Sequence, residues 1–238
     1  MANRIIYTSL YDAEIEYLES TGTQWIDTGI KASSNIGIYG TVNVTKNVIG
    51  CIFGARDGST NINQLIFIAK GSVGESSYRF GTSEAMKQSG SFNFLNKVVT
   101  ISNLQQHNEF KIDTYIYTAG IKTFTCRYNI FIYCMTEGWR QINILDGLRI
   151  YNFKIYNLDT LVRDFIPVRK GNIGYLYDRV SGRLFGNQGT GNFILGPDVN
   201  TPIERNVIYT DTNTRCVIAT RDNTESEQNN NINDNTND

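Results

Sequence analysis

Three carboxylates stand close together near the start of the chain, in the run Glu14-Ile15-Glu16-Tyr17-Leu18-Glu19. Two carboxyls held about 5 to 5.5 Å apart are the requirement for retaining glycoside hydrolysis, one as nucleophile and one as acid/base. The spacing places Glu14 and Glu19 in those roles, with Glu16 between them as the helper. Against catalysis, the run sits at the chain's start, Ser20-Thr21-Gly22 follows as a turn, and no tryptophan-rich cleft accompanies it. The three glutamates are therefore expected to be structural.

Other catalytic sets are poorer. His107 is the single histidine, in a loop rich in Gln and Asn, and no Gly-x-Ser-x-Gly elbow occurs, which argues against a nucleophilic triad. The glycines from Gly182 to Gly191 lack the lysine and following helix of a phosphate-binding loop and read as turns. Cys51, Cys126, Cys134 and Cys216 show no Cys-x-x-Cys spacing and no cluster with His107, so zinc is not expected and the thiols read as buried strand residues of a reducing compartment. Aromatic and guanidinium groups near loops are the usual platform for sugars, since a ring stacks on the C–H face while polar groups bond the hydroxyls. Trp139, Arg140, Arg56 and Tyr78 are the candidates for ligand binding, with Trp139 alternatively capping one end of the core.

Composition narrows the class. A formal net charge of −1 and a pI near 5.9 leave no cationic field for a nucleic acid. No run of apolar residues is long enough for membrane insertion. The first residues lack the apolar core of a signal peptide, so general secretory export is not expected. With 14 Tyr, 12 Phe and 21 Gly but three Pro, the chain has the aromatics that strands favour and the glycines that turns need.

The elements that must position these groups are strands. Tyr151, Phe153 and Ile155 alternate with Asn152 and Lys154, and Leu161, Arg163 and Phe165 alternate with Val162, Asp164 and Ile166, each set predicting a strand with one buried face. A turn is predicted at Asn157-Leu158-Asp159 and a second hairpin from Ile173 to Leu184. Further strands are predicted over Glu14–Leu18, Thr23–Ile30, Asn35–Val44, Asn47–Ala55, Gln64–Ala69, Ser77–Thr82, Phe92–Ser102, Glu109–Tyr117 and Lys122–Met135, the last interrupted by a loop at Thr136-Glu137-Gly138-Trp139. Helical periodicity is nearly absent, and strands at this frequency suit an all-β, two-sheet sandwich. Residues 1–13 read as a lead-in with a docking role, 14–199 as the domain, 200–220 as an extension with a hairpin joining 206–210 to 215–220, and 221–238 as a disordered Asn-rich tail.

Two stretches carry a resemblance: Tyr17-Leu18-Glu19-Ser20-Thr21-Gly22-Thr23-Gln24-Trp25-Ile26-Asp27-Thr28-Gly29-Ile30, and Leu148 through Phe193. Together they resemble the paired signature of concanavalin A-like, laminin G-like jelly-roll domains of phages of gut bacteria, with Trp25 where Tyr is usual. The resemblance implies an antiparallel jelly-roll and a virion protein, a head or tail fibre or decoration component, assembled in the bacterial cytoplasm and without catalysis of its own. It implies other virion proteins, further copies of the chain and a host glycan as partners. Laminin G-like relatives carry calcium on a rim of carboxylates, and Asp57, Asp146 and Asp178 are the loop carboxylates that could hold one Ca2+; no other cofactor is expected. A bacterial lectin-like protein and a laminarinase-type glycoside hydrolase are the alternatives.

Overall fold

The computed structural model describes residues 3–6, 9–58, 64–70, 76–87, 95–138, 140–200 and 207–210. In chain order the strands begin β1 (Asn3–Ile6), β2 (Ala13–Ile15), β3 (Leu18–Thr21), β4 (Ile26–Ser33), β5 (Ile36–Val44), β6 (Ile49–Arg56) and β7 (Gln64–Lys70). They continue as β8 (Ser76–Gly81), β9 (Ser83–Lys87), β10 (Val98–Ser102), β11 (Glu109–Ile112), β12 (Tyr115–Thr118), β13 (Thr125–Ile132), β14 (Met135–Glu137) and β15 (Arg140–Ile142). The last are β16 (Asp146–Asn157), β17 (Thr160–Lys170), β18 (Ile173–Asp178), β19 (Arg183–Phe185), β20 (Ile194–Leu195), β21 (Asp198–Asn200) and β22 (Val207–Thr210). Among the described residues there is no helix, and hence none long and apolar enough to cross a membrane.

The compact unit Leu10–Pro202 holds two sheets. The larger runs β12-β11-β10-β5-β16-β17-β18-β19, with β3 joined to β16 and β20, and β2 joined to β17 and β21. The smaller runs β15-β14-β6-β7-β8-β9, with β13 linking β6 to β4. Every described strand ladder is antiparallel except β14 with β6. Apolar residues at alternate positions, such as Ile36, Ile38, Val42 and Val44 of β5, turn inward and meet the inward residues of the other sheet. Aromatic rings fill the space between: Phe67 stacks on Phe110 at 4.4 Å and Phe53 meets Phe153 edge-on at 5.8 Å. This is the all-β, two-sheet sandwich that the strand pattern predicted.

Where the structure departs from the sequence reading, bulges and tight turns are the cause. On β16 the pairing with β5 slips between Ile150 and Asn152, so Tyr151 is an extra residue. Leu148 and Ile150 before it and Phe153 and Ile155 after it are buried, while Tyr151 leaves their face and its ring meets Tyr17 at 5.7 Å. A second slip, between Ile155 and Tyr156 against β17, sends Leu161 to the side of Tyr156 and lets Val162 pack on the core. The strand predicted over 14–18 is broken between β2 and β3, and the one over 109–117 turns at Asp113, whose φ is 49°. The interruption expected after Met135 is a hairpin, with β14 paired to β15.

Pro167 in mid-strand would cost a ladder bond anywhere else. Here β17 exchanges one neighbour for another: Phe165 is its last residue against β16, and Val168 its first against β2. The missing N–H falls in the gap between the two partners.

The unit Met1–Ser9 with Ile203–Asp238 contains a two-stranded antiparallel sheet, with Asn3 opposite Thr210 and Ile6 opposite Val207. The partner of β22 is thus β1, where the sequence suggested 215–220; that stretch and the tail 221–238 lie outside the described residues. The sandwich unit also begins earlier than residue 14, since Ala13 is fully buried and the Tyr11 ring packs 5.1 Å from Tyr177.

Candidate functional site

The two stretches that carry the resemblance lie at opposite ends of the sandwich unit in sequence and are joined in space. β3 sets Leu18 against Ile150 and Glu19 against Arg149 on one side, and against Leu195 and Ile194 on the other. Just beyond β3, the Thr190 N–H donates to the Thr23 carbonyl at 3.1 Å and the Thr23 hydroxyl donates to the Thr190 carbonyl at 2.8 Å. Gln24, almost wholly buried, accepts the Thr21 N–H at 2.7 Å and donates to Thr190 at 3.1 Å. The Gln188 N–H closes on the Trp25 carbonyl at 2.9 Å. Polar side chains this deep need partners, and Thr23 and Gln24 find theirs in Thr190 across the interlock, while the Trp25 Nε1 is buried without one.

The glutamate run is divided by this interlock. Glu14 accepts from the Tyr11 hydroxyl at 3.1 Å, Glu16 is exposed between strands, and Glu19 is buried against the Arg149 Nε at 2.6 Å and the Thr45 hydroxyl at 3.1 Å. Arg149 also lies 4.2 Å above the Tyr17 ring. Glu14 and Glu19 therefore occupy different strands, and Glu19 is committed to an ion pair.

Part of the expected ligand-binding rim assembles. Parallel pairing of β14 with β6 puts Glu137 beside Arg56, and β15 puts Arg140 beside Glu137. The Arg56 Nη2 lies 2.8 Å from Glu137 Oε2, with both side chains 14% exposed. Trp139 lies outside the described residues. Tyr78 is corrected outright: it stands on β8 in the core, its hydroxyl donating to the His107 carbonyl and accepting from Asn103 Nδ2 at 3.0 Å, so no ligand reaches it. Burial pushes its phenol far above the usual tyrosine range. The His107 Nδ1 is 2.9 Å from the Ser34 carbonyl.

The three aspartates considered for calcium are each engaged separately. Asp57 accepts the Arg127 N–H at 2.8 Å, and Asp146 pairs with Lys46 at 2.8 Å. Asp178 is fully buried and accepts from the Asp164 N–H at 2.8 Å and the Ser181 hydroxyl at 2.6 Å, with Arg163 at 3.6 Å. Among the described residues no group of three or more His, Cys, Asp or Glu converges as a metal site would require. Cys51, Cys126 and Cys134 are buried free thiols, with burial raising Cys51 and Cys126 to about 12; Cys216 lies outside the described residues.

A surface that the sequence reading missed is the outward face of the larger sheet. Three rows cross it. Tyr39 of β5 stands beside Lys154 of β16, itself beside Asp164 of β17. In the next row Thr100 of β10, Thr41 and Asn152 are neighbours, and in the third Val98, Asn43, Arg149 and Glu19. The charges pair: Lys154 is 3.7 Å and Arg179 2.9 Å from Asp164, and Arg149 is held by Glu19. The Oδ1 atoms of Asn43, Asn152 and Asp164 are buried and take no hydrogen bond, but the aspartate has cations beside it and the two amides do not have that compensation. Half-buried Tyr39 and Tyr156 stand in rows further along β5 and β16, and half-buried Tyr151, next to Asn152 in the chain, meets Tyr17. The available signal was the polar series Tyr39, Thr41, Asn43 at every second position of an otherwise apolar strand.

A groove of about 400 Å3 lies elsewhere, bounded by Lys31, Ser33, Asn35, Phe124, Thr125 and Asn157. Phe124 is nearly covered by its neighbours, its ring 5.0 Å edge-on to Phe80, which leaves little aromatic face for stacking. A scan against known protein families finds no match, and a search of curated proteins finds none either.

Proposed function

We propose that the chain is a non-catalytic structural protein of a phage virion, a head or tail fibre or decoration component whose jelly-roll module binds a host glycan or another feature of the host surface. Its partners are other virion proteins and further copies of itself, and it assembles in the host cytoplasm. The observation that carries this reading is the interlock of the two resembling stretches, Thr23 with Thr190 and Gln188 with Trp25. The residues behind the resemblance act together, as one closure of one sheet. Against hydrolysis, Glu14 and Glu19 stand on separate strands and Glu19 is tied to Arg149. A bacterial lectin-like protein is the second reading, favoured by the tyrosines and amides of the outward face.

Protein identification on purified particles tests the virion reading, with the chain expected at fixed copy number. Deleting 1–9 and 203–238 is expected to abolish incorporation and leave the sandwich unit folded by circular dichroism. Absence from intact particles, together with retained glycan binding by the isolated protein, replaces the virion reading with the lectin one.

A further inference from the structure

We propose that the outward face of the larger sheet around Asn43 and Asn152 is a subsite for a neutral saccharide residue, whose hydroxyls bond the two amides while its C–H face lies on a neighbouring tyrosine ring. This deepens the binding half of the proposed function and rests on it.

The first observation is the pair of amides. Asn43 is 7% exposed, and neither its oxygen nor that of Asn152 has a hydrogen-bond partner. A buried polar group left in that condition costs about 1 to 3 kcal/mol. Two of them in adjacent rows of one sheet face are unusual, because buried polar groups are otherwise nearly always satisfied. The two are close, since Asn152 is opposite Thr41 and Asn43 lies two residues further along β5, opposite Arg149. The slip at Tyr151 is what brings Asn152 to this face; without it, the parity of β16 would turn that amide inward.

The second observation is electrostatic. Arg149 is bonded to Glu19 at 2.6 Å, and Lys154 and Arg179 flank Asp164, so the cations nearest the two amides already have counter-charges, while Lys111, two strands away from β5 in the Tyr39 row, is turned to Gln105. An anion would find no uncommitted charge beside the amides, and a metal ion would meet Arg149 and Lys154 there. A neutral ligand meets neither penalty.

The third is the chemistry of the amides. Each carries both acceptor and donor atoms, so a hydroxyl, which both donates and accepts, satisfies either orientation of the side chain. Thr41 and Thr100 add hydroxyls in the row between Tyr39 and Asn43. Tyr39 and Tyr151 offer ring surface at the margins, and aromatic rings beside a few placed polar groups are how sugar sites are built.

The test uses the full chain, isotopically labelled, titrated with glucose, galactose, mannose and N-acetylglucosamine and with short oligomers of each, while the side-chain amide signals of Asn43 and Asn152 are followed by NMR. At least one probe is expected to shift both signals together. Asn152→Ala and Thr41→Val are each expected to weaken that probe by about tenfold or more, and Arg56→Ala, on the other sheet, to leave it unchanged. Thr41→Val guards against a folding defect in the asparagine variant, and thermal melts check both. Binding that survives both substitutions overturns the proposal, as does a crystal structure grown in the best-binding sugar that shows only ordered water between the two amides. Either result leaves the virion reading standing if the chain is found in particles, so the two failures are distinguishable.

Discussion

Two regions of the larger sheet treat polar side chains in opposite ways. At the interlock of 18–25 with 187–195, Gln24, Thr23, Glu19 and Asn187 are all hydrogen-bonded, several across more than a hundred residues of sequence, and the Trp25 Nε1 is the buried exception. On the outward face of the same sheet, Asn43 and Asn152 bury their oxygens with no partner. The first arrangement is what stability requires, since a satisfied buried network rigidifies the structure that encloses it. The second gives up stability, and such a concession is expected where a ligand completes the bonding. The residues that draw the eye in the sequence thus hold the fold together, and plainer ones are better placed to bind.

The sharpest way to break the interlock is Gly189→Ala. A Cβ there would stand 1.9 Å from the Thr23 carbonyl oxygen, the same atom that accepts the Thr190 N–H, and backbone on both sides leaves no side chain to yield. We expect a loss of about 4 kcal/mol or more, read by urea denaturation. A loss under about 1 kcal/mol, the range of an ordinary surface change, would mean that the two segments are not seated as described.

Next in size is Glu19→Ala. It strips Arg149 of its partner at 2.6 Å and Thr45 of an acceptor, and a hydrogen bond to a charged group contributes about 1.5 to 3 kcal/mol. Arg149 is partly exposed and keeps its contact with the Tyr17 ring, so a loss of about 2 kcal/mol is expected. The same variant sharpens the functional comparison. If the glutamates were catalytic, it would abolish a hydrolytic activity; as structural residues they should move stability alone.

Tyr133→Phe should cost about 1 to 2 kcal/mol. The buried hydroxyl donates to the Leu18 carbonyl at 2.7 Å, tying the segment that follows β13 to the interlock, and its removal leaves that acceptor without this bond. The ring contact with Phe193 at 4.9 Å survives, so m-values should be unchanged while the midpoint falls.

Much of this was legible in advance and the remainder could not have been. β5 was readable because its large apolar residues Ile36, Ile38, Val42 and Val44 keep one parity, with Gly40 between them, and Leu158, with φ 54°, turns the chain where the polar Asn157-Leu158-Asp159 predicts. Tyr151 and Leu161 were assigned to the wrong faces because a bulge changes parity without any local mark in the sequence; the slip exists only relative to the partner strand. Tyr78 reads as a loop-proximal aromatic because it is the second residue of the predicted strand Ser77–Thr82, yet that strand lies between β7 and β9 and its ring stacks 5.0 Å from Phe110. The site around Asn43 and Asn152 was illegible for the same reason as the bulge: its two amides are 109 residues apart, and only register joins them.

A smaller effect sits at the edge of the interlock, where Arg169 holds Asp198 through two bonds of 2.7 and 2.6 Å. The hydrogen bond from Arg169 holds the Asp198 carboxyl below its ordinary value. A carboxyl depressed in the folded state adds stability above its unfolded pKa and loses it as pH falls through the folded value. Asp198→Asn should therefore melt slightly below the parent chain near neutrality, and the difference should shrink to nothing as the pH falls through the carboxyl's depressed folded value. A difference that persists in acid would show that the asparagine disturbs packing and that the charge is irrelevant.

The smallest change in stability is expected on the outward face, and there the direction carries the meaning. Asn152→Leu removes a buried oxygen that has no partner and substitutes a side chain of similar size. Where a buried polar group is satisfied, such a replacement costs at least the lost bond; where it is not, the replacement is neutral or stabilising because a desolvation penalty disappears. A shift between zero and about 1 kcal/mol toward greater stability is expected, measured on the protein free of sugar. The same variant should lose the saccharide response at Asn43, so stability and binding move in opposite directions at one residue. A clear loss of stability would show that Asn152 has a bonded partner in the free protein, an ordered water above all, and would place the outward face in the same satisfied class as the interlock.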